Sequence, residues 1–172
     1  MIGKADLNDV AALNLLVNSA YRGDESKKGW TTEAYMLDGV RIDEDELSEM
    51  MNEPNSSVFK YAENDVILGC VLLKIQENKL YLGMLCVNPE LQNSGIGKKI
   101  LRFADDFAIE NKLITIKMTV ISLRVELINW YNRHGYLDSG LREAFPEQHD
   151  KDVISGEKLE FVVLEKSLIL TL

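Results

Sequence analysis

The chain has 172 residues, of which 46% are hydrophobic and 27% are charged, so it is long enough to fold as one domain over residues 1–172 without a disulfide or a metal. Its 28 acidic and 19 basic side chains give a net charge of −9, which argues against nucleic-acid binding because phosphate neutralisation needs a basic surface. The sequence has neither a signal-peptide pattern nor a membrane-length apolar stretch, so we expect no membrane contact and a cytoplasmic location. We expect either a monomer or a homodimer.

The N-terminal third predicts a strand, a helix, a loop and a second helix. Asp6 is typical of a helix N-cap, with Asp9 in the first turn after it, and apolar residues follow at helical spacing. The second helix begins in an acidic cluster, which favours a helix N-terminus, and Pro54 stops it. These elements are expected at residues 2–5, 6–21, 22–33 and 43–52.

Three runs rich in β-branched and aromatic residues follow, and they predict an antiparallel meander because only short polar turns separate them. Cys70 and Cys86 lie inside these apolar runs and belong to no CxxC or Cys/His pattern. We therefore expect two buried free thiols and no metal site. The runs are SVFKYAE, VILGCVLLKIQ and KLYLGMLCVNP, at residues 57–63, 66–76 and 79–89.

Beyond the meander, the sequence predicts a helix, a strand, another helix and a last strand. The first of these helices carries an apolar stripe that includes Ile96, Ile100 and Ala104. Gly135 ends the second helix, because glycine readily takes the left-handed conformation that closes a helix. The elements are expected at residues 96–108, 113–121, 124–134 and 159–170. The whole order predicts an α/β or α+β sheet with helices on both faces.

The stretch QNSGIGKK joins a strand directly to a helix. The first amide N–H groups of a helix have no internal partner, and Gly95 and Gly97 let a ligand come close to the backbone. These features predict a phosphate-binding loop, with a purely structural glycine turn as the alternative. A Walker A loop would need Ser or Thr in place of Lys99, and a dinucleotide loop would need glycine in place of Ile100. Both of those nucleotide signatures are therefore excluded.

Two segments form linked motifs, separated by one predicted helix and one predicted strand. V-N-P-E-L-Q-N-S-G-I-G-K (87–98) and R-V-E-L-I-N-W-Y-N-R-H-G-Y (124–136) resemble motifs A and B of the GCN5-related N-acetyltransferases (GNATs). The resemblance implies a GNAT-like α/β (α+β) fold, a mixed and largely antiparallel central sheet of six to seven strands with helices on both faces. It also implies an acyltransferase whose cofactor is acetyl-coenzyme A.

The resemblance implies where that cofactor binds. Its pyrophosphate would rest on the backbone amides of residues 92–98, and its pantetheine arm would pair with residues 85–87 like an added strand. A backbone N–H near Leu85 would stabilise the oxyanion of the reaction. The implied cofactor-binding residues are Leu85, Cys86, Val87, Gln92, Asn93, Ser94, Gly95, Ile96, Gly97, Lys98, Arg124, Tyr131 and Arg133.

Tyr131 stands where the family has a tyrosine that faces the thioester sulfur. The resemblance therefore implies a general acid that protonates the leaving thiolate, whereas helical spacing alone would make Tyr131 a core aromatic. Two positions depart from the family pattern: Arg124 replaces an asparagine, and residues 80–87 contain no glutamate to act as general base. Glu33, Glu126 and His134 are the candidate bases, and the sequence does not choose among them.

The acceptor side is expected around Tyr21, Trp30, Arg41 and Phe145. Tyr21 and Trp30 would form walls of a pocket, and Arg41 would bind a carboxylate or another anion, although ordinary packing explains these residues equally. The predicted function is transfer of an acetyl group to a primary amine by direct attack. A small-molecule amine is the first choice of acceptor and a peptide or protein amine the second. A module that binds acyl-coenzyme A without turnover is the remaining alternative.

Overall fold

The structure, a computed structural model, describes residues 1–169 and contains seven strands and five helices within that range. The strands are β1 (Ile2–Lys4), β2 (Ser56–Glu63), β3 (Val66–Gln76), β4 (Lys79–Val87), β5 (Thr115–Ile121), β6 (Leu137–Ala144) and β7 (Glu160–Ser167). The helices are α1 (Val10–Tyr21), α2 (Gly23–Ser26), α3 (Glu44–Asn52), α4 (Ile96–Glu110) and α5 (Val125–Arg133). Short 3-10 turns lie at Leu7–Asp9, Pro89–Leu91 and Glu147–Asp152.

The seven described strands form one sheet in the order β1-β2-β3-β4-β5-β7-β6. Every neighbouring pair is antiparallel except β4 and β5, which run parallel. The parallel pair follows from the connectivity, because α4 connects β4 to β5 as a crossover. This arrangement confirms the predicted mixed, largely antiparallel sheet, and β2, β3 and β4 are the predicted meander.

Helices cover both faces of the sheet, as predicted. Side chains alternate along β3, so Val71 and Leu73 pack in the core that includes α4 and α5, while Cys70 and Leu72 pack in the core that includes α1 and α3. Each face of the sheet therefore has its own hydrophobic core. None of the helices in residues 1–169 is long and apolar enough to cross a membrane.

Cys70 and Cys86 are free and buried, as predicted. They are cross-strand partners in β3 and β4, and their sulfur atoms lie 3.4 Å apart. The contact with the Cys86 thiol and burial raise the pKa of Cys70, so this thiol stays protonated at neutral pH. Within the described residues, no group of three or more His, Cys, Asp or Glu side chains could hold a metal ion.

The first helical segment begins in a capped 3-10 turn that leads into α1. The Asp6 carboxylate accepts a hydrogen bond from the Asn8 N–H (2.8 Å), and the Asp6 N–H donates to the Asp9 carboxylate (2.9 Å), which confirms the predicted N-cap. Helix α3 begins with an equivalent reciprocal pair between Asp43 and Glu46. The acidic cluster of the sequence is therefore a helix start, as expected.

Two elements were not predicted from the sequence, α2 and β6. Helix α2 is a single turn of polar residues, GDES, inside the segment predicted as a loop. Strand β6 pairs with β7, and every residue of its sequence LDSGLREA is exposed, so no alternating apolar pattern marks it. The predicted last strand, residues 159–170, corresponds to β7, and its final predicted residue lies outside the described residues.

Strands β4 and β5 separate towards the C-terminal end of β4. They pair at Leu80 with Ile116 and at Tyr81 with Lys117, and no later β4–β5 pair occurs within residues 1–169. Strand β4 nevertheless continues to Val87. The facing backbone edges of the two strands are left open, and an open edge can accept an extended ligand as an added strand.

A β-bulge in β4 lies at this opening. The register between β3 and β4 shifts so that Met84 and Leu85 lie opposite the single residue Val71. Met84 has a φ of +52°, a left-handed conformation that is uncommon for a residue other than glycine, asparagine or aspartate. Bulges turn a strand out of its regular ladder and occur often beside active sites.

Candidate active site

The glycine-containing loop between β4 and α4 presents free amide groups. Gly95 has a φ of +89° at the N-cap of α4 and supplies no capping side chain. The first backbone bond of the helix runs from the Lys99 N–H to the Gly95 carbonyl (3.1 Å), so among the described residues the N–H groups of Ile96, Gly97 and Lys98 have no acceptor. Free amides and the positive end of the helix dipole make this loop an anion site.

The Gln92 side chain attaches a second segment to this loop. Its carbonyl oxygen accepts hydrogen bonds from the N–H groups of Trp30 (2.8 Å) and Thr31 (3.3 Å), and its amide nitrogen donates to the Thr31 hydroxyl (2.6 Å). The approach is close, since a Cβ at Gly29 would lie 2.3 Å from the Gln92 side chain. Residues 29–31 are therefore fixed against the anion-binding loop.

Beside this loop lies a cavity of about 270 Å³, the loop cavity, which the open edge of β4, the loop, residues 30–31 and α5 enclose. Nine of the predicted cofactor-binding residues line it: Leu85, Cys86, Val87, Gln92, Asn93, Gly95, Gly97, Lys98 and Tyr131. Trp130 of α5 also lines this cavity. Its ring accounts for the glycine at position 97, because a Cβ there would lie only 3.2 Å from the ring.

A second cavity of about 350 Å³, the strand cavity, lies between the diverging ends of β4 and β5. Of the predicted acceptor-side residues, Tyr21, Arg41 and Phe145 line it. Trp30 does not line this cavity; it lines the loop cavity instead, with its ring centroid 6.2 Å from that of Trp130. The polar side chains of the strand cavity are Tyr21, Arg22, Glu33, Arg41, Tyr81, Thr119, Arg124, Tyr131, Glu143 and His149.

The two cavities meet at four residues that line both of them: Tyr21, Leu85, Leu127 and Tyr131. The Tyr21 hydroxyl donates a hydrogen bond to the Leu85 carbonyl and so fixes the backbone at the bulge. The Tyr131 hydroxyl has no hydrogen-bond partner in the described part of the chain, although its residue is only 6% exposed. A hydroxyl without a partner at the junction of two cavities is available to a bound molecule.

Burial dominates the electrostatics of this junction. It raises the pKa of Tyr131, an effect that the positive charge of Arg124 partly opposes. It also raises the pKa of Tyr21, with the neighbouring Cys86 and Tyr131 adding to the effect. Both phenols therefore keep their protons at neutral pH.

Arg124 lines the strand cavity and connects the start of α5 to Thr31 and Glu33. Its guanidinium donates to the Thr31 carbonyl and lies 3.9 Å from the Glu33 carboxylate. Both charged side chains are buried, with exposures of 9% for Arg124 and 7% for Glu33. The guanidinium carbon also lies 5.8 Å from the centroid of the Tyr21 ring, a distance typical of a cation–π contact.

Three further predicted cofactor-binding residues lie outside the loop cavity. Ile96 buries its side chain in the core at 6% exposure, although its N–H is one of the free amides. The Ser94 N–H donates to the Leu91 carbonyl (3.3 Å), so this amide is already used within the loop. Arg133 is exposed and lines a shallow neighbouring pocket together with Trp30.

Sequence reasoning missed several residues of the strand cavity. Arg22 follows α1 directly, and its Nη1 donates to the Asp38 carbonyl (2.9 Å) while its buried Nε has no partner among residues 1–169. Burial lowers the pKa of this guanidinium. Glu143 and His149 come from β6 and the turn after it, a region without an apolar pattern. No signal in the sequence places these three side chains together, because only the tertiary fold does so.

The three candidate bases lie in different places. Glu33 lines the strand cavity, and His134 lines the loop cavity, with its Nδ1 at 2.8 Å from the Trp130 carbonyl oxygen. Glu126 is exposed and lines only shallow pockets on the outer side of α5 among the described residues.

The loop cavity fits the acyl donor that the sequence resemblance implies. Free helix-start amides with Lys98 beside them suit a pyrophosphate. The unpaired edge of β4 at residues 82–87 suits an extended arm with amide groups. The cavity then leads to the junction with the strand cavity, where a reactive end group would meet a second molecule.

Comparison with known proteins agrees with this fit. A family model described as the acetyltransferase (GNAT) domain matches residues 28–148, which include both motifs. No curated protein matches the chain.

Solved structures share the fold at low sequence identity. An N-acetyltransferase from Staphylococcus aureus is 16% identical, with 99% of this chain and 98% of that chain covered at a TM-score of 0.75. A ribosomal-protein alanine N-acetyltransferase from Escherichia coli is 12% identical, with 99% and 95% covered at a TM-score of 0.74. A GNAT family acetyltransferase from Elizabethkingia anophelis with acetyl-CoA bound is 15% identical, with 73% and 84% covered at a TM-score of 0.64. The chain belongs to the GNAT acetyltransferase family, and acetyl-coenzyme A is its cofactor.

Proposed function

We propose that the protein transfers an acetyl group from acetyl-coenzyme A to a primary amine of a small molecule by direct attack, with Tyr131 as general acid. The observation that carries this proposal is the junction of the two cavities at Tyr21, Leu85, Leu127 and Tyr131. The donor enters from the loop cavity and the acceptor from the strand cavity, so the two substrates meet without a covalent enzyme intermediate.

Residues of the loop cavity hold the donor, which supplies an activated acetyl thioester. The amides of Ile96, Gly97 and Lys98 bind its pyrophosphate, since they have no acceptor among the described residues. The backbone of β4 at Leu85 and Val87 pairs with its extended arm. Two of the predicted cofactor contacts have less support. Arg124 lines the strand cavity instead of the loop cavity, and the Ser94 N–H already donates to the Leu91 carbonyl.

The backbone near Leu85 stabilises the oxyanion. The bulge at Met84 turns β4 out of its ladder at this point, and the Tyr21 hydroxyl fixes the Leu85 carbonyl. A backbone N–H held in this way is preorganised and needs no rearrangement during the reaction, which is the property that makes oxyanion stabilisation effective.

Tyr131 gives its proton to the leaving thiolate. The hydroxyl lines both cavities, has no partner in residues 1–169, and keeps its proton because burial raises its pKa. General acid catalysis of this kind typically contributes about 10²- to 10⁴-fold to a rate.

The strand cavity, at about 350 Å³, has the volume of a pocket for a small molecule. A peptide or protein amine is the second candidate acceptor, which the net charge of −9 favours because it attracts cationic groups. The ribosomal-protein alanine N-acetyltransferase with a similar fold is consistent with that alternative. We also propose one domain over residues 1–172 that acts in the cytoplasm as a monomer or homodimer, since one sheet joins all seven described strands.

The test is a mass-spectrometric screen of primary amines and peptides with acetyl-coenzyme A, followed by Tyr131→Phe. We expect this variant to lower kcat by about 10²- to 10⁴-fold, while acetyl-coenzyme A still raises its melting temperature as in the wild type. Tyr136→Phe is the matched control, since it removes a hydroxyl from the adjacent ring, 5.8 Å away. Unchanged turnover in Tyr131→Phe would remove the acid role, and a null screen with retained donor binding would favour a non-catalytic module.

A further inference from the structure

We propose that Glu33 is the general base that removes a proton from the acceptor ammonium. This inference rests on the proposed function, since it assigns the step that must precede attack by the amine. The Glu33 residue is 5% exposed and lines the strand cavity. Its carboxylate accepts no hydrogen bond from any residue in the described part of the chain, and its ion-pair distance to Arg124 is 3.9 Å.

The Glu33 carboxylate has no hydrogen-bond donor among the described residues. A buried carboxylate is costly unless hydrogen bonds satisfy its oxygens. A distance of 3.9 Å to Arg124 provides electrostatic support but exceeds a hydrogen bond. The carboxylate oxygens are not among the fully buried atoms without a partner, so their donors come from what enters the cavity, water or a ligand. An ammonium group, with three N–H donors and a positive charge, suits this carboxylate.

The backbone holds Glu33 beside the junction of the two cavities. Its N–H donates to the carbonyl of Tyr21 (2.8 Å), a residue whose side chain lines that junction. Its own carbonyl accepts from the N–H groups of Met36 and Leu37, both at 2.9 Å. Leu37 is 1% exposed. The peptide unit is thus anchored on both sides, which suits a base that must meet the amine in one geometry.

Other bases on the cavity wall are worse placed. The Glu143 side chain is 48% exposed and lies 3.5 Å from Lys117, so solvent and a lysine already satisfy it. His149 is 38% exposed and lies 3.4 Å from Asp152. The other charged and titratable groups that line the same cavity are Tyr21, Arg22, Arg41, Tyr81, Arg124, Tyr131, Glu143 and His149.

The proton and electron balance of the step is complete with this assignment. Glu33 takes one proton from the ammonium, and the freed nitrogen lone pair attacks the thioester carbonyl carbon. The C–N bond forms and the C–S bond breaks, and the sulfur leaves with the bonding electron pair and receives the Tyr131 proton. The second nitrogen proton passes to the Tyr131 oxygen, and Glu33 releases its proton to water. The products are an amide, a free thiol and one proton.

The test compares Glu33→Gln with Glu53→Gln, which removes a carboxylate outside both cavities that is 48% exposed and paired with Lys74. Once the screen has identified an acceptor, we expect Glu33→Gln to lower kcat by about 10²- to 10⁴-fold, with its stabilisation by acetyl-coenzyme A unchanged. The deficit should shrink as the pH approaches the pKa of the amine, because the acceptor then arrives neutral and needs no base. Glu53→Gln should stay within about twofold of the wild type, the small effect expected of an exposed ion pair.

Three outcomes overturn the inference: a kcat of Glu33→Gln equal to that of the wild type, a deficit that is constant with pH, or an effect on KM alone. If Glu33→Gln does not fold, Glu33→Asp decides, because it keeps the charge and withdraws it by one methylene. We expect a folded variant with a kcat lower by up to about 10²-fold, and wild-type kcat would overturn the inference. Failure of the proposed function is distinct, since the wild type itself would then acetylate no amine.

Discussion

Tyr21 and Tyr131 differ in what their hydroxyl groups contact, although both rings line the junction of the two cavities. The Tyr21 hydroxyl is already bonded to the Leu85 carbonyl, so it shapes the backbone and is not free to protonate a ligand. The Tyr131 hydroxyl has no partner within residues 1–169 and is free to act on one. The structure thus separates a positioning phenol from the proposed acid, a distinction that residue type and burial alone do not make.

Tyr21→Phe tests the positioning role. The variant leaves the buried Leu85 carbonyl without its donor, so we expect a loss of about 1–3 kcal/mol in the free energy of unfolding, measured with urea. We also expect a lower kcat, because the backbone at the bulge loses its anchor. The control is Tyr136→Phe, since the buried Tyr136 hydroxyl has no partner among the described residues and its removal should not lower stability. Equal unfolding free energies for the two variants would contradict the role.

At the scale of elements, the helices and strands that could be predicted are those whose apolar residues recur with helical or strand periodicity. Strands β2 to β4 and helices α4 and α5 follow clear apolar periods, and the anion-binding loop follows from two glycines at a strand–helix junction. The bulge at Met84 and the hydrogen bond from the Trp30 N–H to the Gln92 side chain were not predictable, because they depend on partners distant in sequence. Strand β6 was missed because β7 supplies its pairing and its own side chains are exposed.

Gly95→Ala tests the anion-binding loop at this scale. Gly95 has a φ of +89°, and Gly140 in β6 has a φ of +85°, with nothing within 4 Å of an added Cβ at either position. Alanine should therefore cost about 1–2 kcal/mol of stability at both positions, from the backbone conformation alone. Only Gly95→Ala should weaken acetyl-coenzyme A binding in calorimetry, because it disturbs the free amides of α4. Equal donor affinity in the two variants would show that the loop does not bind the donor.

At the scale of the whole molecule, the site is a consequence of topology. One parallel pair in an otherwise antiparallel sheet diverges after two paired positions, and in the proposed function the gap gives each substrate its own entrance. The strand cavity holds three arginines, Arg22, Arg41 and Arg124, against two carboxylates, Glu33 and Glu143. The chain as a whole has a net charge of −9, so the local charge of the cavity differs from that of the whole molecule. That contrast supports an acceptor with an anionic group, as predicted for Arg41.

The N-terminal segment is joined to the sheet by an ion pair that should govern acid stability. The Lys60 ammonium lies 2.8 Å from both oxygens of Asp9, and this ties the turn before α1 to β2. Burial alone would raise the pKa of Asp9, but the hydrogen bonds from Lys60 and from the Asp6 N–H hold it below its usual value. A carboxyl with a lowered folded-state pKa stabilises the fold above its unfolded pKa, and this contribution is lost as the pH falls through the folded value.

Asp9→Asn should therefore be less stable than the wild type at neutral pH, by about 1 kcal/mol. The difference in melting temperature should begin to shrink below about pH 4, where the unfolded carboxyl takes up its proton, and it should vanish as the pH falls through the lower pKa of the folded carboxyl. Asp138→Asn is the matched control, because the pKa of Asp138 is likewise lowered, by Arg142 and the Gly140 N–H, but its side chain is 49% exposed. We expect no measurable change for that variant at any pH. A gap between Asp9→Asn and the wild type that stays constant into the acid range would mean that packing, and not the charge of Asp9, attaches this segment to the sheet.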